Sequence, residues 1–218
     1  MKQRSDSSSA TTEAGDQPPR DCVAGPPESL LVFEGAAKAS LVQMSLLFYG
    51  VLLAIAAAWS AWSGDALIYA QAPVGGLGDV LDVAADVGVG AVAGLGVIGL
   101  SRELTRRTRW GDALASALAG AIGRPSVGQC IVLALASGVA EEALFRGALQ
   151  PQVGLFAASL IFGLAHFAPR RDLWPWMPFA AATGLMMGIL FEWTGNLIAP
   201  VIAHVLINAV NLRLLALR

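Results

Sequence analysis

Six apolar stretches set the frame for what this chain can fold into: residues 41–62, 83–100, 127–149, 153–167, 173–193 and 197–215. A helix needs about 20 apolar residues to cross the ~30 Å hydrocarbon core of a bilayer; the fourth stretch is the short one. Of the 218 residues, 56% are hydrophobic and 14% charged, well below the roughly 25% charged residues of a soluble domain. The expectation is an all-α, polytopic membrane bundle of about six transmembrane helices. Between the second and third stretches, WGDALASALAGAIG (residues 110–123) is too short to span and is followed by Arg124 and Pro125, so it reads as one short interfacial or re-entrant helix.

Basic residues give the bundle a direction. Arg102, Arg106, Arg107 and Arg109 follow the second stretch, Arg170 and Arg171 the fourth, and Arg213 and Arg218 flank the end of the sixth. Six alternating spans put all three groups on one side, which the positive-inside rule makes cytoplasmic, with both termini there. Residues 1–37 are rich in Ser, Thr, Pro and acids without apolar periodicity, and read as a disordered polar tail ahead of a transmembrane domain at 38–218. The first apolar run lies too far from Met1 for a signal peptide and is expected to stay as a membrane helix. Cys22 and Cys130 sit in unlike surroundings and read as free thiols. No basic stripe suggests a nucleic-acid partner; the expected partner is the lipid bilayer.

The third stretch contains LALASGVAEEALFRGALQ (residues 133–150), with three ionisable groups inside an apolar helix. Each costs roughly 2.5–3.5 kcal/mol on insertion scales, so Glu141, Glu142 and Arg146 need one another or a function. Glu142 and Arg146 stand four apart and can form an intramembrane ion pair, whereas Glu141 is rotated about 100° away. Two further patterns follow, FGLAHF with Phe162 and His166, and HVLIN with His204 and Asn208 on one face. Singly, each pattern also fits helix-to-helix glue. Together they place both histidines of the chain and the diacid on three apolar helices that could converge.

Glu-Glu-x-x-x-Arg, Phe-x-x-x-His and His-x-x-x-Asn, in that order on successive hydrophobic helices, resemble the family of CAAX prenyl proteases and bacteriocin-processing enzymes (CPBP, also called Abi). The resemblance covers roughly residues 127–215. It implies an intramembrane endopeptidase in which Glu141 and His166 activate a water, His204 and Asn208 stabilise an oxyanion, and Glu142, Arg146 and Phe162 support the site. The chemistry of the residue types agrees: a carboxylate beside an imidazole in a low-dielectric site suits general-base work, and fixed donors in a dry site stabilise developing charge. The same residues admit a second account, since Glu141, His166 and His204 supply the ligand types of a catalytic zinc. The missing His-Glu-x-x-His helix weighs towards a metal-free mechanism. The substrate implied is a membrane-anchored or lipidated protein, and the location implied is a bacterial inner membrane.

Two other classes compete: a non-catalytic immunity or scaffold protein of the same fold, and a proton-coupled carrier, weakened by the lack of an internal repeat. Asp79, Asp82 and Asp86 read as a solvated helix entrance. Gly88, Gly90, Gly94, Gly96 and Gly99 read as packing glycines, and Trp174, Trp176 and Trp193 as interfacial anchors. These helix boundaries leave His166 about 10 Å nearer the cytoplasmic side than Glu141 and His204, so a helix has to tilt or break for the site to assemble.

Overall fold

A computed structural model describes residues 28–63 and 77–218, with side chains described over 42–63 and 80–218. The elements in chain order are α1 (Glu28–Ser63), α2 (Leu77–Arg107), α3 (Arg109–Ile122), α4 (Val127–Glu142), a π-helical segment (Ala143–Leu149), α5 (Gln150–Val153), α6 (Leu155–Ala165), a 3₁₀ turn (Arg171–Leu173), α7 (Trp176–Thr194) and α8 (Ile198–Ala216). All regular structure among the described residues is helical. Five helical stretches among them are long and apolar enough to cross a membrane: Val42–Ser63, Val80–Arg107, Val127–Val153, Arg171–Thr194 and Ile198–Ala216. The chain is therefore a polytopic all-α membrane bundle. Residues 37–218 form one compact unit.

Two boundaries differ from the sequence reading. Helix α1 begins at Glu28, so the last ten residues assigned to the polar tail are helical backbone, led in by Leu30, Leu31, Val32 and Phe33. Residues 1–27, including Cys22, lie outside the described residues. The fourth apolar stretch is a helix of only 11 residues, about 16 Å at 1.5 Å per residue, roughly half a bilayer core. It is not a sixth full-length span.

Short α6 also removes the depth mismatch. The chain reverses at Gly154, whose φ of +82° is open to glycine at little cost. Glu141 and His166 lie almost equally far from Gly154 along the two arms, so they arrive at the same level. Just before the reversal, Pro151 can donate no N–H, and its ring would press on the carbonyl four residues back. The preceding turn is widened into the π segment, in which Gln150 N–H bonds the Phe145 carbonyl.

Helix α8 packs between α2 and α4, and α6 packs on α7. Small residues make the contacts close. A Cβ on Gly90 would stand 2.4 Å from the Ala199 carbonyl oxygen, and one on Gly94 would stand 3.0 Å from that of Ala203. Without a hydrophobic drive between helices in lipid, such close approach supplies the packing energy. Gly88, Gly96 and Gly99 face open space, so only part of the glycine run serves this contact. Asp82 is exposed, whereas Asp86 accepts from Asn196 Nδ2 at 2.6 Å and ties α2 to the α7–α8 turn. The side chain of Asp79 lies outside those described.

Helix α3 matches the short amphipathic segment read from the sequence. Thr108 caps it, its hydroxyl oxygen accepting from Gly111 N at 3.0 Å. The helix packs against α2 and α8. Cys130 is a buried free thiol.

Candidate active site

Glu141 and Glu142 end α4, where the backbone passes into the π segment. Glu142 is fully buried and accepts on one oxygen, Oε1, from Arg146 Nη1 at 2.9 Å and from His204 Nδ1 at 2.6 Å. Arg146, equally buried, donates its Nη2 to the Gly184 carbonyl at 2.9 Å. Its guanidinium carbon lies 4.5 Å from the centre of the Phe162 ring, a cation–π contact. A buried ion pair of this kind gives little net stability, but it fixes geometry because neither partner can leave without exposing the other.

Phe162 is the apolar hub. Its ring meets Phe145 edge-on at 4.9 Å, His166 at 4.6 Å and His204 at 6.1 Å. Gly184 makes room for this arrangement: a Cβ there would stand 2.9 Å from Phe162 Cδ1 and 3.1 Å from Arg146 Nη2.

Both imidazoles are held by their Nδ1 atoms. His166 Nδ1 lies 2.8 Å from the Phe162 carbonyl oxygen, which can only accept, so Nδ1 carries the proton. His204 Nδ1 faces a carboxylate that already holds a guanidinium, and it donates for the same reason. The two Nε2 atoms therefore present lone pairs. Each lies 3.9 Å from Glu141 Oε2, a buried oxygen without a hydrogen-bond partner in the described structure. Three acceptors facing one another cannot bond directly. A water has two hydrogens, so it can bridge Glu141 Oε2 and one of the two imidazole nitrogens, which are spaced for such a bridge.

The same distances test the zinc account. Donors about 2.1 Å from a tetrahedral zinc stand about 3.4 Å from one another, closer than the 3.9 Å here. Among the described residues, no three His, Cys, Asp or Glu side chains are arranged to hold a metal ion. The set Glu141, His166 and His204 is spaced too widely to fit a zinc ion.

Asn208, one turn beyond His204 on α8, donates one amide hydrogen to Ser137 Oγ at 2.9 Å. Its second amide hydrogen is available to the cavity that it lines. That cavity, of about 410 Å³, is walled by Phe162, His166, His204 and Asn208 at the site, by apolar side chains of α2, α3, α7 and α8, and by Arg102, Arg106 and Arg218.

The structure thus brings Glu141, Glu142, Arg146, Phe162, His166 and His204 into one constellation, with Asn208 alongside. Sequence reasoning missed four contributors. Ser137 orients Asn208, Gly184 seats Arg146, and Tyr49 of α1 lies close enough to Ser137 and Glu141 to interact with both. Trp176, read as an interfacial anchor, packs edge-on against His166 at 5.0 Å and lines the cavity. The correction follows from α6: a half-length helix leaves His166 at a depth that the start of α7 can reach. Helical spacing from Glu141 pointed to Ser137; an isolated tyrosine in α1 gave no such signal.

Comparison with known proteins supports the resemblance. Residues 123–210 match the family described as type II CAAX prenyl endopeptidase Rce1-like. The uncharacterized protein YpbD of Bacillus subtilis (strain 168) is 46% identical over 87 residues, 39% of this chain and 44% of YpbD. The matched segment thus spans less than half of that relative. No solved structure matches the chain. The matched segment holds every member of the constellation, from Glu141 to Asn208, and over that segment the chain is similar to the type II CAAX prenyl endopeptidase family.

Proposed function

We propose that this protein is an intramembrane endopeptidase that hydrolyses a peptide bond in a membrane-anchored or lipidated protein, using a water activated by Glu141 and His166. The observation that carries the reading is the convergence of both Nε2 lone pairs on the unpartnered Glu141 Oε2, at 3.9 Å each. A water seated there attacks the scissile carbonyl as Glu141 takes one of its protons, with His166 orienting it. The carbonyl π electrons move to oxygen. Asn208 stabilises the resulting oxyanion through its second amide hydrogen, whereas His204, with its proton on Nδ1 and a lone pair on Nε2, accepts rather than donates at the site. Collapse breaks the C–N bond, and the proton held at Glu141 passes to the leaving amine. Glu142 and Arg146 do not touch the reacting atoms; they hold the His204 ring and its tautomer.

The cavity supports a substrate of mixed character. Its walls are apolar, and Arg102 and Arg106, one turn apart on α2, share the lining with the site residues. The arginine-bearing ends of α2 and α8 meet at this cavity, which supports a cytoplasmic opening, cytoplasmic termini and a bacterial inner-membrane location under the positive-inside rule. Residues 1–27 fit a polar tail ahead of the transmembrane domain.

The deciding experiment compares protein termini in membranes of the native host by mass spectrometry, wild type against Glu141→Gln at matched expression. New termini present in wild type and lost in the variant are expected, and they identify the substrate. An unchanged set of termini together with full rescue of a deletion phenotype by the variant would establish the scaffold reading instead.

A further inference from the structure

The residues matched by the comparison end at 210, but the face of α8 that carries His204 and Asn208 continues along the wall of the same cavity. Asn211 stands three residues beyond Asn208, about 4.5 Å further along the helix, and lines that cavity with it. Each of the two carboxamides is braced by a serine from a different helix, Asn208 by Ser137 of α4 at 2.9 Å and Asn211 by Ser101 of α2 at 3.2 Å. Ser101 and Asn211 both lie outside the matched segment, so this second pair is not among the residues already assigned to the site.

Counting hydrogens shows what Asn211 has left to give. The single hydroxyl hydrogen of Ser101 is shared between the Ile98 carbonyl at 2.9 Å and Asn211 Oδ1 at 3.2 Å. With Oδ1 turned to Ser101, both amide hydrogens of Asn211 are without a partner among the described residues. With the amide turned over, one hydrogen goes to the serine oxygen and the other is left over beside Oδ1. In either orientation at least one N–H is available to the cavity. It is a neutral donor on a wall whose charged groups, Arg102 and Arg106, suit anions instead.

We infer that Asn211 is a substrate-binding residue, its free N–H donating to a main-chain carbonyl of the peptide within two residues of the scissile bond. An extended chain advances about 3.3 Å per residue, so the step of about 4.5 Å from Asn208 along α8 reaches less than two residues from the carbonyl that becomes the oxyanion. A main-chain carbonyl is a neutral acceptor that every residue of a peptide carries. The contact therefore adds affinity and register without selecting a side chain. This role rests on the reading of the site as a peptidase with Asn208 at the oxyanion.

The test uses the full-length protein in liposomes and an internally quenched farnesylated peptide ending in a CAAX sequence. The peptide is used as such and with each peptide unit within two residues of the scissile bond replaced in turn by an ester, whose carbonyl is the weaker acceptor. Asn211→Leu keeps the volume and removes the donor. KM is expected to rise about three- to tenfold with kcat unchanged, as for one hydrogen bond made equally in the ground and transition states. One of the esters is expected to raise KM in wild type and to add nothing in Asn211→Leu, a coupling that a merely structural role would not produce. Unchanged KM, or the same penalty for every ester in both proteins, overturns the inference. If Asn211→Leu does not fold, Asn211→Asp, which keeps an acceptor toward Ser101 and loses the donor, decides by the same series. If wild type leaves the peptide uncut, the new termini found in the native host take its place: their yield is expected to fall in Asn211→Leu at matched abundance, and an unchanged yield overturns the inference. Wild-type cleavage by Glu141→Gln overturns the reading of Glu141 as base, while the ester coupling still reports whether Asn211 holds the peptide. If neither the peptide nor any host protein is cut, the peptidase reading fails and the role of Asn211 falls with it.

Discussion

His204 stands between the two glutamates, with Nδ1 at 2.6 Å from Glu142 Oε1 and Nε2 at 3.9 Å from Glu141 Oε2. The short contact fixes the ring and its proton, and the long one leaves room for a small reactant. Adjacent carboxylates thus meet different atoms of one imidazole because α4 turns them to opposite sides of the ring.

The buried pair of Glu142 and Arg146 is expected to behave as a unit. Arg146→Met leaves Glu142 charged and uncompensated and should destabilise the protein by about 3–5 kcal/mol. Adding Glu142→Gln should recover a large share of that loss without restoring activity, because His204 Nδ1 then faces a neutral amide in place of the carboxylate. Unfolding in mixed micelles for the two single variants and the double variant gives the coupling; additive losses would contradict it.

Gly184→Ala probes the seat of the guanidinium. The added methyl meets Phe162 and Arg146 inside 3.2 Å, and overpacking of this kind costs about 1–3 kcal/mol. The expected signature is a drop in kcat larger than the drop in thermal stability would explain, because the displaced arginine moves Glu142 and with it His204. Equal kcat at a lower Tm would show that the seat can relax without reaching the histidine.

The α2–α8 contact separates two glycines that look alike in sequence. Gly90→Ala drives a methyl into the Ala199 backbone and should lower stability, whereas Gly96→Ala meets nothing within 4 Å. The second change should be neutral or stabilising, by up to about 1 kcal/mol from helix propensity. Thermal unfolding of both variants in detergent checks the pair, and a larger loss at Gly96 would place α8 elsewhere.

Chelation tests the metal geometry directly. With donors too widely spaced for zinc, proteolysis is expected to persist after treatment with 1,10-phenanthroline and dialysis. Loss of cleavage that returns with stoichiometric zinc would reinstate Glu141, His166 and His204 as ligands.

Much of the candidate site was legible because its residues are ionisable groups in apolar helices, where each has a cost and therefore needs a reason. Glu142 with Arg146, and His204 with Asn208, were placed on shared faces by helical spacing alone. The depth of His166 was not legible, because an apolar run of 15 residues does not announce where its helix stops. The end depends on the reversal at Gly154 and on the loop after Ala165. Tyr49 and Gly184 were hidden for a different reason: a hydroxyl or a missing side chain is cheap in an apolar helix, and its meaning appears only when a second helix is set against it. The fold class followed from composition and length, and among the described residues the full spans number five, not six, because α6 is short.

Hydrolysis consumes one water for every bond cut, and the hydrocarbon interior of a bilayer holds almost none. Irregular backbone survives at membrane depth only where protein or a water-filled cavity covers it. Because α6 stops halfway, the chain after Ala165 is irregular beside His166, at the edge of a cavity with arginines in its wall. The unfinished helix thus leaves a gap in the wall: His166 stands at the rim of that cavity, where a longer helix would have carried the chain past it.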